Sequence, residues 1–590
     1  MQATQPKNYI DHIHNYDWLA PFHAKPITAQ TLIDTAGRDC ESLNGRWTYA
    51  VDQYATALRA AWYREIDRFE GRPIPPDYDF AAWDEITLPN SWNTAKPELL
   101  YYEGCIAFTR TFGYQTAPDE RVFLNFEGAQ YRTYVFLNKE YLGVHFGGST
   151  PFSVELTGQL QEQNRIVVVV DNTRRDTHLP MSNTDWFNYG GIYRDMEIIR
   201  VPQTFIRNYE VHLVPDGTFS TIAAAVTVDG AQDGAVAQLR IPELEVDTSI
   251  ELRDGSGATT VRAQPELWSP DTPRLYRVQI QLKDDAVSDE IGFREITVRG
   301  TDVLLNGKKL FFRGVACHED SVTGGKYLSE QEIRHDLATA RELGCNYMRL
   351  AHYPHSRRTA RLADRIGIML WEEIPVYWAI DFANPATLAD AENQLTELIC
   401  RDRNRASVVI WSVGNENPDT DERLSFMSRL ADVARSLDTT RPISAACLVN
   451  HVDNRIEDRL ADKLDIIGIN EYFGWYDPDY DKLPQLFRNS APDKPVFITE
   501  FGGGALAGHR GTTDEFFTED RQRLIYERQI AAFRTIAYLS GISPWILFDF
   551  RCPRRTNAFQ RGYNRKGLLA EDKTTKKLAF AVLQRFYAQR

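Results

Sequence analysis

The sequence predicts a multidomain protein in which two β-sandwiches precede a (β/α)₈ barrel, and three observations predict it. The chain has 590 residues, several times the size of one domain, so two to four domains are expected. Between residues 40 and 298, short strands alternate polar and apolar residues. After residue 300, apolar runs alternate with amphipathic helical segments, which is typical of parallel strands covered on both faces.

The first two domains are predicted from the spacing of their strands. Runs such as 104-GCIAFTRTF-112 and 165-RIVVVVDN-172 have the alternation and turn spacing of an antiparallel sandwich. We therefore expect a jelly-roll-like β-sandwich over residues 1–200. A second series of strands, such as 221-TIAAAVTVDG-230, is about 100 residues long, which predicts an immunoglobulin-like β-sandwich over residues 201–299.

The barrel is predicted over residues 300–590, a length that suits this fold. A helix is expected over 329–344, because it opens with the capping box of Ser329 and Glu332 and closes on Gly344. The eight apolar runs that we interpret as the barrel strands are 309–316, 345–354, 368–375, 407–416, 442–447, 464–472, 495–502 and 544–550.

Composition and charge exclude several classes of protein. The hydrophobic content of 43% and charged content of 25% are those of a globular protein, and the net charge of −15 disfavours nucleic acid as a partner. The first twenty residues lack the pattern of a signal peptide, and no segment predicts a membrane span. Seven scattered cysteines without a C-x-x-C pair indicate free thiols in the cytoplasm, and no ligand cluster predicts a metal or other cofactor.

Polar residues follow the ends of six predicted barrel strands, where such barrels carry their chemistry. Glu416 ends strand four and Glu500 ends strand seven, so the two carboxylates can converge on one substrate atom. A lone glutamate there more often caps a helix or pairs with an arginine, but a facing pair is what glycosidic cleavage requires. Proton transfer needs a raised pKa in one of them, which a partly apolar wall such as Trp411 and a nearby like charge could provide. The neighbouring polar and aromatic residues are His352, Asn415, Tyr472 and Trp545.

The segment after the eighth predicted strand reverses the overall sign of charge. Residues 551–570 contain six basic residues and no acid. A basic segment at the barrel mouth predicts an anionic group on the ligand, and Asn564 and Lys566 could together hold a carboxylate. The alternative is a solvated basic loop.

Several long motifs resemble glycoside hydrolase family 2, and most closely its β-glucuronidases. The stretch 402-DRNRASVVIWSVGNE-416 resembles the acid/base signature and 346-NYMRLAHYP-354 the family's other signature. The segment 499-TEFGGGALAG-508 is similar to the nucleophile segment, 185-DWFNYGGIYR-194 to a motif of the sugar-binding-like first sandwich, and 267-LWSPDTPRLY-276 to a motif of the second domain. The resemblance extends over nearly the whole chain.

The resemblance implies retaining hydrolysis through a covalent glycosyl-enzyme, without a redox cofactor. Glu416 would be the general acid/base and Glu500 the nucleophile. Asn564 and Lys566 would recognise the carboxylate of a uronide, a small-molecule glycoside. Members of the family commonly form tetramers, so a homo-oligomer is expected by likeness. The other residues implied to contact the sugar are Asp185, His352, Asn415, Asn470, Tyr472, Tyr476 and Trp545.

Several alternatives stay open. A β-galacturonidase, or an enzyme with both uronide activities, shares the carboxylate contacts, and Arg357 or Arg358 could supply a further one. Glu471 stands where many glucuronidases carry a basic residue, and Ile546 and Leu547 stand where a more polar pair is common. The further alternatives are a β-galactosidase, a carbohydrate-binding protein, which would be expected to lack one of the two glutamates, and a scaffold protein.

Overall fold

The computed structural model describes residues 19–65, 68–69, 72–73 and 79–589. It confirms the predicted fold class, with two antiparallel β-sandwiches followed by a parallel β/α barrel. The prediction that the chain starts without a signal peptide concerns residues 1–20, of which 1–18 lie outside the described residues. Domain boundaries at residues 200 and 299 stay predictions.

The first sandwich consists of a six-stranded and a four-stranded antiparallel sheet. Apolar side chains from the two sheets face each other and form one buried core, in which Trp47 and Phe126 are at most 1% exposed. In spatial order the larger sheet contains Glu140–Phe146, Arg132–Leu137, Gln163–Asp171, Cys105–Gly113, Gly45–Asp52 and Asp84–Leu88. The smaller sheet contains Cys40–Ser42, Met196–Pro202, Glu120–Phe126 and Phe152–Glu155.

The second sandwich pairs a three-stranded with a four-stranded antiparallel sheet, the strand number of an immunoglobulin-like domain. Its strands alternate buried and exposed residues, as in Tyr276–Leu282, because one face of each sheet meets the core and the other meets solvent. One sheet contains Phe205–Leu213, Thr221–Asp229 and Ser256–Arg262, and the other contains Val246–Glu251, Val236–Ile241, Tyr276–Leu282 and Asp285–Ile291. A three-stranded sheet of Ile296–Arg299, Asp302–Leu305 and Lys308–Lys309 leads into the barrel.

A ring of parallel strands forms the barrel. The first strand is broken into two pieces, Phe312–Arg313 and Ala316–Cys317. One piece pairs with the eighth strand and the other with the second, so the broken strand closes the ring. Strands two to eight are Tyr347–Leu350, Met369–Glu373, Val408–Asn415, Ile443–Cys447, Ile466–Asn470, Val496–Glu500 and Leu539–Ile542.

Amphipathic helices cover the outside of the barrel, so the strands between them are buried on both faces; all eight residues of strand four are buried. The predicted capping box at Ser329 and the left-handed Gly344 are both present, at the two ends of the first of these helices. The helices are Glu330–Leu343, Arg357–Ile366, Pro385–Asp402, Asp421–Leu437, Lys482–Ser490, Glu519–Phe533 and Leu578–Tyr587, and a short 3₁₀ helix is Arg459–Lys463.

The eighth strand was predicted in the wrong place. The structure forms it from Leu539–Ile542, and the apolar run 544–550 follows it instead. Ile546 and Leu547 in that run are at most 1% exposed, because the run crosses the end of the barrel and packs into buried clusters there. The run is apolar because it is buried, and not because it is a strand.

The first sandwich is fixed to the barrel by ion pairs, one of them buried and one partly buried. Arg194 of the sandwich donates a hydrogen bond of 2.6 Å to the carboxylate of Glu319, which follows the first barrel strand. Arg357 of the barrel donates one of 2.8 Å to Glu197 of the sandwich. These contacts hold the sandwich loop that contains Asp185 beside the barrel mouth.

None of the helices in the described part of the chain is long and apolar enough to cross a membrane.

Candidate active site

A cavity of about 280 Å³ opens at the carboxyl ends of the barrel strands. Eleven residues were predicted for the site, and nine of them line this cavity. The nine are Asp185, His352, Glu416, Asn470, Tyr472, Tyr476, Glu500, Trp545 and Lys566. The other two, Asn415 and Asn564, are buried directly behind the wall and hydrogen-bond to residues that line it.

Glu416 follows the last residue of strand four and is held by two donors. Asn470 Nδ2 donates to Oε1 at 2.8 Å, and Trp378 Nε1 donates to Oε2, also at 2.8 Å. The backbone of Glu416 has a φ of 52°, a left-handed conformation that is uncommon for a residue with a side chain. The carboxylate is thereby fixed in position and still reaches the cavity.

Glu500, at the end of strand seven, is 6% exposed and is held at both oxygens. Arg349 Nη1 donates to Oε1 at 2.8 Å, and the Tyr472 hydroxyl donates to Oε2 at 2.5 Å. His352 Nε2 lies 3.7 Å from Oε1. Burial raises the pKa of Glu500 and the charge of Glu416 raises it further, whereas Arg349, His352 and Tyr472 lower it. The net effect is a raised pKa.

Arg349, for which no role was predicted, organises the floor of the cavity. Its guanidinium is fully buried and also donates to Asn415 Oδ1 at 2.7 Å and to both carboxylate oxygens of Glu373 at 3.2 Å. Glu373 in turn accepts a hydrogen bond from His352 Nδ1 at 2.7 Å. The signal that could have identified Arg349 is a charged residue inside an otherwise apolar barrel strand.

A basic side chain and two tyrosines form the wall expected to contact a carboxylate. Lys566 Nζ lies 2.8 Å from the Tyr476 hydroxyl and 4.8 and 4.9 Å from the ring centres of Tyr472 and Tyr476. Burial acts to raise the pKa of Tyr476, but the Lys566 ammonium outweighs it and the pKa is lowered. Lys566 is 5% exposed and pairs with no carboxylate in the described residues, so its charge is available to an anionic ligand.

Asp185 from the first sandwich is joined to the segment that follows the barrel's eighth strand. Arg555 donates to its two oxygens at 3.0 and 2.6 Å, and Asn564 Nδ2 donates at 3.1 Å. Asn564 Oδ1 accepts from the backbone N–H of Lys566 at 3.1 Å, which links the two predicted carboxylate contacts. Arg555 itself lines the cavity and had been named only as part of the basic segment.

Other basic residues of that segment serve the fold. Arg565 is buried between Asp549 and Glu571, so its charge is neutralised inside the protein. Within the basic segment, as far as it is described, Arg555 and Lys566 are the residues that line the cavity. The local excess of positive charge at the site is therefore smaller than the sequence suggests.

Two expectations about nearby residues were wrong. Arg357 and Arg358 do not reach the cavity, because they pair with Glu197 and Asp195 of the first sandwich. Trp411 is not its apolar wall, since its indole is fully buried and donates to Asp438 on the outer side of the barrel.

The residues that depart from the family's usual pattern lie in two different environments. Ile546 and Leu547 are buried and do not line the cavity, whereas Glu471 does. Loop residues Tyr377, Trp378, His451, Phe473 and Asp477 complete the wall. Their positions depend on loop conformations, which are set by tertiary contacts and not by a local sequence pattern. No group of three or more metal-binding side chains occurs within the described residues.

Comparisons with known proteins agree with this arrangement of domains. Residues 40–202 match the sugar binding domain of glycosyl hydrolases family 2, residues 204–294 match a second model of that family, and residues 296–588 match its TIM barrel domain. The chain is 26% identical to a beta-glucuronidase of Paenibacillus borealis over 92% of this chain and 96% of the relative.

Two solved structures are similar over almost their full lengths. One is a beta-glucuronidase from an uncultured Clostridium species, with a TM-score of 0.82, 25% identity, and 94% of this chain and 99% of that chain covered. The other is a beta-galacturonidase from Eisenbergiella tayi bound to galacturonate, with a TM-score of 0.80, 25% identity, and 95% and 98% covered.

Proposed function

Since the chain belongs to family 2 of the glycosyl hydrolases, we propose that it cleaves terminal β-D-glucuronides through a covalent glycosyl-enzyme. The observation that carries the proposal is that Glu416 and Glu500 line one cavity together with Lys566, which forms no ion pair with any carboxylate of the described residues. Two carboxylates supply the chemistry, and the cation supplies the affinity for a uronic acid.

In this reaction Glu500 attacks the anomeric carbon while Glu416 donates a proton to the glycosidic oxygen, so the alcohol leaves as a neutral molecule. Glu416, now a carboxylate, takes a proton from a water molecule as the oxygen of that water attacks the anomeric carbon. This attack breaks the bond to Glu500 and releases the sugar. The hydrogen bonds from Arg349 and Tyr472 orient Glu500, and those from Asn470 and Trp378 orient Glu416. Such preorganisation lowers the barrier because no reorientation is needed during the reaction.

Recognition of the sugar carboxylate is assigned to Lys566, and Asn564 positions that residue from behind the cavity wall. The ammonium of Lys566 lies on the wall between two tyrosines, so a uronate oxygen can replace the Tyr476 hydroxyl as its acceptor. Asn564 is held in place by Asp185 and by the backbone of Lys566. His352, Asn470 and Trp545 are proposed to contact the sugar ring and its hydroxyls, and Asn415 positions Asn470 from behind the cavity wall.

A β-galacturonide is the second candidate substrate, because a relative of that activity is as similar in structure as the glucuronidases. The two uronides differ only in the orientation of the 4-hydroxyl and share the carboxylate. A neutral β-galactoside fits less well, since it would leave the buried Lys566 without an anionic partner. A carbohydrate-binding protein without activity is disfavoured by the presence of both glutamates.

The test is a panel of four 4-nitrophenyl β-glycosides, namely the glucuronide, galacturonide, glucoside and galactoside, with kcat/KM measured for each. We expect the glucuronide to be cleaved fastest and the two neutral glycosides slowest. A higher kcat/KM for the galacturonide would identify a galacturonide as the preferred substrate and would leave the proposed mechanism unchanged. A neutral glycoside as the best substrate, or no cleavage of any of the four, would overturn the proposal.

We also propose that the protein forms a homo-oligomer and is located in the cytoplasm. All seven cysteines are free, as expected for a protein of a reducing compartment. Light scattering of the purified protein measures its oligomeric state, and a monomeric mass would contradict the first part.

A further inference from the structure

Glu373 is a third buried carboxylate near the cavity, and the reaction described above does not use it. It is the last residue of strand three, is 1% exposed and lies behind the cavity wall. Each of its side-chain contacts in the described residues is with a nitrogen atom. Oε2 accepts from Trp371 Nε1 at 3.0 Å and from Arg349 Nε at 3.2 Å. Oε1 lies 3.2 Å from Arg349 Nη2 and 2.7 Å from Nδ1 of His352, which does line the cavity.

These contacts fix a proton on Nδ1 of His352. Burial acts to raise the pKa of Glu373, but the Arg349 charge and the hydrogen bond with His352 outweigh it, so the pKa is lowered. The side chain is therefore a carboxylate, which can only accept hydrogen bonds. The indole of Trp371 and the guanidinium of Arg349 can only donate, which agrees with that charge state. The contact of 2.7 Å with His352 then needs its proton on the imidazole.

Arg349 does not compete for the same nitrogen. Its Nη2 lies 3.3 Å from His352 Nδ1, but the two hydrogens of Nη2 have other acceptors. One is Asn415 Oδ1 at 2.7 Å and the other is Glu373 Oε1 at 3.2 Å. Nδ1 is therefore a donor to Glu373 and not an acceptor from Arg349.

The second ring nitrogen of His352 is the one that a substrate meets. The ring stacks on Trp545, with the ring centres 4.9 Å apart, and its centre is also 4.9 Å from that of Tyr377. Nε2 lies 3.7 Å from Oε1 of Glu500, beyond hydrogen-bond distance, and has no hydrogen-bond partner in the described part of the chain. In an imidazole whose proton is on Nδ1, Nε2 is an acceptor. It can accept from a hydroxyl of a sugar bound beside Glu500.

We propose that Glu373 is a positioning residue, which keeps the proton of His352 on Nδ1 so that Nε2 accepts a hydrogen bond from a sugar hydroxyl and donates none to the nucleophile. A proton on Nε2 would be attracted to the Glu500 carboxylate, and the sugar hydroxyl would lose its acceptor. The inference rests on the proposed function, because it assumes that a uronide occupies the cavity and that Glu500 is the nucleophile.

Glu373→Gln tests the position of the proton without changing the size of the side chain. The amide oxygen should take the place of Oε2, because Trp371 Nε1 and Arg349 Nε both donate there. The reverse orientation would set the amide nitrogen against these two donors, whereas this one sets it against Arg349 Nη2 alone. The amide nitrogen then donates to Nδ1 of His352, whose own proton must move to Nε2.

The experiment measures which sugar hydroxyl depends on His352. The substrates are a 4-nitrophenyl β-uronide and its 2-, 3- and 4-deoxy analogues, built on whichever uronide is cleaved faster. The readout at each position is the ratio of kcat/KM for the parent to kcat/KM for the deoxy substrate. The intrinsic reactivity of each deoxy sugar cancels when this ratio is compared between enzyme variants.

Glu373→Gln should change the ratio at one position. We expect kcat/KM for the parent substrate to fall on the order of 10²-fold, because the imidazole has the wrong tautomer. The ratio at the position of the hydroxyl bound by Nε2 should fall about tenfold, and the other two ratios should stay within about twofold. A purely structural loss would lower kcat/KM for all four substrates alike. Thermal unfolding shows whether the variant is folded.

The matched control is Glu397→Gln. Glu397 is also a buried carboxylate in contact with a histidine, since its Oε1 lies 3.1 Å from Nε2 of His145, but this pair lies away from the cavity. All three ratios should be those of the unaltered enzyme.

His352→Phe is the second variant, and it applies even where Glu373→Gln is too unstable to assay. It keeps a ring against Trp545 and removes both nitrogens. One ratio should again fall about tenfold, and it should be the ratio at the position that Glu373→Gln affects.

Three outcomes would overturn the inference. The first is a set of ratios that Glu373→Gln leaves unchanged, and the second is a set that His352→Phe leaves unchanged. The third is an effect of the two variants at different positions of the sugar. Failure of the unaltered enzyme to cleave any 4-nitrophenyl uronide is a different result, because it would overturn the proposed function itself.

Discussion

The guanidinium of Arg349 donates a hydrogen bond of 2.8 Å to Oε1 of Glu500, and neither side chain is more than 8% exposed. The same guanidinium holds Asn415 and Glu373, so it joins the ends of strands two, three, four and seven. Breaking a buried charge pair of this kind strongly destabilises the folded protein, because the remaining charge would have no partner. The position of Glu500 is therefore set by the barrel before any substrate enters.

Replacement of the proposed nucleophile should remove turnover and keep the fold. Glu500→Gln has the same shape but cannot form the glycosyl-enzyme, so kcat for 4-nitrophenyl β-glucuronide should fall on the order of 10⁴-fold. Turnover is followed by release of nitrophenol, and folding by thermal unfolding. Glu527→Gln makes the same chemical change at an exposed site. A kcat of Glu500→Gln within tenfold of the unaltered enzyme would exclude Glu500 as nucleophile.

The acid/base role of Glu416 predicts a dependence on the leaving group. In Glu416→Ala, cleavage of cyclohexyl β-glucuronide should fall about 10²- to 10⁴-fold, because the alcohol cannot leave without a proton. The rate of the first step with the nitrophenyl substrate should fall much less, since nitrophenolate leaves without being protonated. Pre-steady-state bursts of nitrophenol measure that step, and Glu422→Ala is the control. Equal losses on the two substrates would argue against an acid.

Selectivity for uronides should depend on Lys566. In Lys566→Ala, kcat/KM for the glucuronide should fall about 10- to 100-fold relative to the glucoside, because a hydrogen bond to a charged group contributes about 1.5–3 kcal/mol. The measured quantity is the ratio of the two substrates in each variant. Lys463→Ala, at an exposed position away from the cavity, is the matched control. If kcat/KM falls equally for both substrates, Lys566 does not recognise the carboxylate.

The acidic limb of the pH profile should report the ionisation of Glu500. Its pKa is raised by burial and Glu416, and the nucleophile must be ionised, so activity is lost as pH falls through this raised pKa. The hydrogen bond from Tyr472 lowers the pKa, and Tyr472→Phe should move the acidic limb of kcat/KM to higher pH. Tyr101→Phe, at a surface position, should not. A limb that stays in place or moves to lower pH contradicts this assignment.

How far the sequence predicts the fold depends on whether a signal is local. The capping box at Ser329 is formed within one helix end, and the alternation in Thr221–Asp229 follows from the two faces of a single strand; both were predicted. The eighth strand, Leu539–Ile542, is only four residues and contains a glycine, so its signal is weak. The stronger apolar run at 544–550 is buried by tertiary packing, which the sequence does not distinguish from a strand.

The same limit applies to the site. Residues at strand ends, such as Glu416, Asn470 and Glu500, were placed at the barrel mouth because the fold brings all strand ends to one face. Trp378 and Arg555 come from loops, and their contacts depend on loop conformation. Arg357 was misplaced for a related reason, since its partner Glu197 belongs to another domain and is distant in the chain.

The bond between Asp185 and Asn564 joins positions 379 residues apart. Domains of a nascent chain generally fold in order as they emerge from the ribosome, so the first sandwich can be complete while the barrel is still being made. Asp185 is synthesised long before Asn564, its partner in this bond. The wall proposed to hold the sugar acid is therefore completed only late in synthesis, and a translation product that stops before Arg555 lacks it, however well its first domains fold.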